Sequence, residues 1–159
     1  MERETIVFGG GCFWCTEAIF SMLKGVESVE PGYTGSPKAE VVRVVYNPDE
    51  ISFEELLQVF FSSHDATQLN RQGPDVGTEY RSVIFYTTER QQQKAQHYVD
   101  VLKKAGQPVV TQLASLNSFV PAEEYHKNFY KSGQRPDYCE LVIDPKVDKV
   151  KTKFKSLLK

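Results

Sequence analysis

Cysteine is scarce in this chain: three among 159 residues, too few and odd in number for the disulfide framework of a small secreted domain. In a reducing compartment such thiols are catalytic, metal-binding or simply buried. Long apolar runs are missing too, none approaching the ~18 residues of a membrane span. Met1 leads at once into Glu2, Arg3 and Glu4, where an apolar leader would begin, so a cytoplasmic protein without a membrane segment is expected. Nineteen basic and 21 acidic residues leave a net charge of −2, and no basic block precedes the spaced lysines of the C-terminus. Such a charge pattern gives no field for gripping nucleic acid. Internal repeats, low-complexity tracts and long linkers are absent, which excludes solenoids and tethered arrays.

What is there fits one domain over residues 1–159: 40% hydrophobic and 25% charged, near the average for globular proteins. A strand over 4–10 runs into a helix carrying Ala18, Ile19, Met22 and Leu23, stopped by Gly25. Strands are expected at 26–33 and 40–46, flanking a turn at "TGSPK". A second helix begins at Phe53, because Phe53, Leu56, Leu57 and Phe60 repeat at helical spacing. Residues 64–79 form a loop long enough to suggest a functional one. Then come a strand at 80–87, a helix ended by Gly106, a strand at 108–114, a short helix through "AEEYHKNFY" and a last helix with Val147, Val150, Phe154 and Leu157 on one face. Its lysines lie opposite, on the solvated face. The pattern is that of an α+β two-layer sandwich, helices packed on a mixed, largely antiparallel sheet.

The stretch "FGGGCFWCTEA" (8–18) puts chemistry at the first strand–helix junction. A glycine-rich turn lets backbone approach a ligand and leaves the first helical N–H groups free. Cys12 stands at that positive end, where the thiolate is favoured and the thiol's acidity should rise. Phe13 and Trp14 offer an apolar wall beside it. Cys15 lies one helical turn on; the pair has thioredoxin-like C-x-x-C spacing. A zinc site would need two more ligands and finds only Cys139 and scattered histidines.

With these residues the sequence resembles peptide methionine sulfoxide reductase, type A, whose nucleophile signature is GCFW. The likeness continues through "GYTG" (32–35), "AEVVRVVYNP" (39–48), "LLQVFFSSHD" (56–65), "RQGPDVGTEYRSVIFY" (71–86) and "PAEEYH" (121–126), in the family's order over most of the chain. The resemblance implies the family's α+β fold with a ferredoxin-like core. It also implies thiol-dependent reduction of the S epimer of methionine sulfoxide, free or in peptides, without metal or organic cofactor.

By the same resemblance Cys12 attacks the sulfur, Glu40 supplies the proton, Tyr80 hydrogen-bonds the sulfoxide oxygen and Asp75 lines the site. Phe13 and Trp14 hold the substrate's S-methyl group. Cys12 becomes a sulfenic acid, condenses with a second thiol and is reset by a thioredoxin-like dithiol. Cys139, in a C-terminal segment spanning 132–159, resembles the family's resolving cysteine, with Cys15 the alternative and a relay through both a third course. A monomer is expected. Glu40 makes chemical sense independently: sulfoxide oxygen leaves only once protonated, and strand parity puts Glu40 on the face of Val42 and Val44, with Arg43 marking the wetter side. Desolvation there would keep the carboxyl protonated near neutrality.

Between "GYTG" and "AE" only Ser36, Pro37 and Lys38 intervene. Most of the family carries a longer loop there, with a second oxygen-binding tyrosine and a Gly-His before the acid; Tyr33 is not its positional match. A Gly-rich tail with two cysteines, found in some relatives, is missing as well. Three rivals stand beside this reading: a Cys-His hydrolase using His64 or His126 as base, a non-catalytic peptide-binding domain, and a general disulfide reductase. For His97 and His126 the sequence suggests surface or packing roles.

Overall fold

The structure, a computed structural model, describes residues 2–159. Strand β1 is Glu4–Gly9, with Ile6, Val7 and Phe8 fully buried. Its unbroken apolar run reflects cover on both faces. Helix α1 (Phe13–Ser21) follows, then the hairpin of β2 (Val26–Thr34) and β3 (Ala39–Tyr46). Helix α2 (Phe53–Ser63) starts on a capping box: Ser52 Oγ accepts from the Glu55 N–H at 3.1 Å, and the Glu55 carboxylate accepts from the Ser52 N–H at 3.0 Å. The long loop contains a small hairpin, β4 (Arg71–Gln72) with β5 (Asp75–Val76). After it come β6 (Val83–Tyr86), α3 (Glu89–Lys104), β7 (Gln112–Ser115) and β8 (Val120–Pro121). The chain ends with α4 (Phe129–Ser132), α5 (Pro136–Tyr138), a π-helical turn over Cys139–Ile143, and α6 (Asp144–Lys153).

Six strands form one sheet in the order β7-β6-β1-β3-β2-β8, antiparallel except for the parallel pair β6–β7. The succession β1-α1-β2-β3-α2-β6, with spatial order β6-β1-β3-β2, is the expected ferredoxin-like core. Ile6, Phe8, Val42, Val44 and Ile84 face the helices and join the main core. Phe8 stacks on Phe20 of α1 and Phe60 of α2, with ring centroids 4.9 and 4.6 Å away, so one side chain ties the central strand to both helices. Among the described residues no helix is long and apolar enough to cross a membrane.

Strand parity is as expected, but the other face is drier than Arg43 suggested. Val7, Ala39, Val41, Val83 and Phe85 form a second buried cluster under Ala114, Leu116 and Phe119, and the Arg43 guanidinium lies over the Phe119 ring at 4.6 Å. Boundaries shift where local chemistry intervenes. Thr78–Tyr80 winds into a 3-10 turn, so β6 begins at Val83 and not at 80, and β7 begins at Gln112 and not at 108. The helix expected through "AEEYHKNFY" is a 3-10 turn (Glu124–His126) followed by the single turn α4. Helix α1 ends at Ser21, and Leu23 instead bridges to Leu158.

Candidate active site

The three glycines of the junction serve packing more than ligand approach. A Cβ on Gly9 would meet Val83 Cγ1 at 2.8 Å, one on Gly10 the His64 ring at 3.0 Å, and one on Gly11 the Gln72 side chain at 2.8 Å. Gly11 also has φ of +96°, a backbone state that side-chain-bearing residues rarely adopt. Gln72 itself is locked to the long loop, accepting from the Asp65 N–H at 2.8 Å and donating to the Asp65 carbonyl at 2.9 Å. The bare backbone thus lets the loop carrying Asp75 press against the strand end that delivers Cys12.

Cys12 is the N-cap of α1 and 8% exposed. It faces a cavity of about 170 Å³ that also gathers Phe13, Trp14, Glu40, Asp75 and Tyr80. Every proposed catalytic and substrate-binding residue therefore lines one space. A larger cavity of about 410 Å³, between α1, α4 and α6, contains no cysteine. Glu40 reaches the helix start, its Oε1 accepting from the Phe13 N–H at 3.3 Å. Burial, reinforced by Glu79 and Asp75, raises the Glu40 pKa to about 7, while the Phe13 N–H and Lys38 oppose that rise.

Cys12 departs from the expected lowered acidity constant. Burial pushes its thiol up, Cys15 and Glu40 add to the rise, and hydrogen bonds from the Trp14 N–H and the Tyr138 hydroxyl recover only part. The helix end is outweighed because desolvation penalises the charged sulfur more than one turn of free N–H groups favours it. The resting site is therefore a neutral thiol beside a carboxyl poised to hold its proton. Cys15, 1% exposed, is raised to about 11, chiefly by burial, with Lys146 pulling it down. Cys139 lies in the main core outside the cavity, and all three thiols are free.

Three cavity residues escaped the sequence reading as site residues. Tyr33 pairs with Glu40 across the β2–β3 hairpin, a register that the turn at 35–38 could have revealed. His126 is no surface histidine: its Nδ1 accepts from Trp14 Nε1 at 3.1 Å, its Nε2 is 3.5 Å from Glu123, and Glu123 accepts from the Tyr33 hydroxyl at 3.2 Å. A buried indole N–H needs an acceptor, and that requirement was the available signal. Tyr138 donates its hydroxyl to Asp75 Oδ2 at 3.4 Å inside the cavity; its neighbour Cys139 was the only hint. His64 turns away from the cavity, bonded to the Phe60 carbonyl and Ser82 Oγ, and burial lowers it to about 4. With His64 engaged there and the His126 lone pair given to Trp14, neither histidine stands as a base for Cys12.

Arg81, 6% exposed, holds the parts in register. It donates to Gln112 Oε1 at 2.9 Å, the Thr78 carbonyl at 2.8 Å and the Pro37 carbonyl at 2.8 Å, joining the Tyr80 turn to the hairpin that carries Glu40. Among the described residues no three His, Cys, Asp or Glu side chains converge as a metal-binding group.

Residues 4–158 match the peptide methionine sulfoxide reductase family. The chain belongs to that family. It is 43% identical to the peptide methionine sulfoxide reductase MsrA of Acinetobacter baumannii (strain AYE), the alignment covering 98% of this chain and 99% of that one. Its fold is similar to Saccharomyces cerevisiae Mxr1 in reduced form, with a TM-score of 0.76, 28% identity and 84% and 87% of the two chains covered. Mxr1 in complex with Trx2 matches at a TM-score of 0.61 and 26% identity, over 79% and 84% of the chains.

Proposed function

We propose that Cys12 and Glu40 carry the family's reaction, the thiol-dependent reduction of methionine sulfoxide to methionine, in this chain. The observation that carries the assignment is a half-buried carboxyl and a thiol at the same helix start, in a cavity walled by Phe13 and Trp14, with burial raising the carboxyl's pKa to about 7. The rings receive the S-methyl group, and Tyr80 and Asp75 face the polar S–O end. Glu40 gives its proton to the sulfoxide oxygen, which leaves the substrate sulfur positive. That positive charge favours ionisation of Cys12 as the two atoms meet, so a resting thiolate is unnecessary.

One S–O bond of the substrate breaks and one forms on Cys12: thiol plus sulfoxide becomes sulfenic acid plus methionine, and the proton lost by Cys12 restores Glu40. Cys139 then attacks the sulfenic sulfur, water leaves, and a disulfide forms; Cys15, one helical turn from Cys12, is the alternative partner. A thioredoxin-type dithiol reduces that bond, becoming a disulfide itself. The Trx2 complex of Mxr1 supports that partner class. We take the enzyme to act as a monomer in a reducing cytoplasm, built as one domain.

The test is stoichiometric. Without reductant, the protein should form methionine from a peptide S-sulfoxide and leave the R epimer untouched, and Cys12→Ser should form none. Equal rates on both epimers, or methionine formation by Cys12→Ser, would remove the assignment.

A further inference from the structure

The Tyr138 hydroxyl donates to Asp75 Oδ2 at 3.4 Å, and its side chain lines the same cavity as Cys12. Its ring packs edge-on against Trp14, centroids 5.4 Å apart, and closes one side of the cavity. The phenol has a single hydrogen. While Cys12 is a thiol, that hydrogen rests on Asp75; once the sulfur takes negative charge, it too becomes a charged acceptor within the cavity. Burial holds the phenol protonated at every working pH, so a donor is always present.

Tyr138 ends α5, and the next residue, Cys139, opens the π-helical turn. Successive residues of a helix point about 100° apart. With Tyr138 directed into the cavity, Cys139 is directed into the core, where Asp144 and Asp137 are the charges that act on it. Cys139 is absent from the cavity lining, and a turn of the stretch that brought it in would carry Tyr138 away. A wide π turn is a weak point in a helical ladder, often found at functional sites.

We propose that Tyr138 is a catalytic residue for the first half-reaction, its hydroxyl donating to the Cys12 sulfur during attack, and that it leaves the cavity with the turn that delivers Cys139, so that attack and resolution exclude each other. The proposal rests on the assignment of Cys12 and Cys139 above.

The experiment compares wild type, Tyr138→Phe and the remote control Tyr98→Phe in one turnover without reductant, and follows alkylation of Cys12 by iodoacetamide against pH. Tyr138→Phe keeps the ring on Trp14, and circular dichroism checks that the fold is held. Its first turnover should fall tenfold or more and its alkylation profile move to higher pH, while Cys12–Cys139 disulfide formation from the sulfenic acid is as fast as in wild type or faster. Tyr98→Phe should match wild type. In the wild-type protein, amide hydrogen exchange over 136–143 should rise when the disulfide forms, a readout independent of any variant. A first turnover and alkylation profile within twofold of wild type in Tyr138→Phe, or exchange unchanged on oxidation, overturns the proposal. A wild type that forms no methionine would instead remove the underlying assignment.

Discussion

Glu40 and Cys12 are set against each other: each ionised form raises the other's cost, and the two share one short stretch of helix N-terminus. Because the Glu40 pKa is raised from 4.5 to about 7, its proton favours the folded state. That contribution is present in full below pH 4.5 and is lost as pH rises through about 7. Two outcomes follow. The rate of the first turnover should decline above pH 7. Glu40→Gln should lose about 10²–10⁴-fold in that rate, yet its urea midpoint relative to wild type should climb between pH 5 and pH 8, since the amide has no charge to bury.

Much of this was readable from residue types. Cys12 at the strand–helix junction and Glu40 on the Val42 face follow from spacing and parity alone. The acidity of Cys12 was not readable, because the sign depends on how deeply the sulfur is buried, and burial is decided by Tyr138 and the loop around Asp75, far away in sequence.

Among the elements, those defined by dense local signals appeared where expected. Helix α2 has both an apolar stripe and a cap, and Ser52→Ala should lower stability by about 1 kcal/mol, read as a fall in the urea midpoint. Elements defined by long-range contacts were misplaced. The strand expected from 80 begins late because Arg81 draws the preceding residues into a 3-10 turn through the Thr78 and Pro37 carbonyls. Arg81→Ala removes three hydrogen bonds to acceptors on exposed residues, at about 0.5–1.5 kcal/mol for each bond lost. It should also slow the first turnover by freeing Tyr80 relative to Glu40, and a stability loss with unchanged turnover would show that the clamp serves the fold alone.

Across the whole molecule, the ferredoxin-like core was legible in the order of strands and helices, whereas the covering of the second sheet face by 112–119 was not, since its apolar residues, Leu113, Ala114, Leu116 and Phe119, do not alternate as those of a half-buried strand would. Phe8, between Phe20 and Phe60, joins the central strand to two helices. Phe8→Ala should cost about 3–5 kcal/mol in denaturant unfolding. If Cys139 closes the disulfide, as proposed, cycling also depends on the C-terminal segment. Cys139→Ser should yield one methionine per protein at the wild-type rate and then stall with thioredoxin as reductant; unimpaired multiple turnover would assign resolution to Cys15.

The cavity at Cys12 measures about 170 Å³, close to the ~150 Å³ that admits one benzene molecule. A space of that size encloses one oxidised side chain and has no room for the residues on either side of it. Breadth of clientele is thus a matter of dimensions: damaged side chains qualify by protruding far enough, whatever sequence surrounds them, and those sunk in a stable core remain beyond repair until the client loosens.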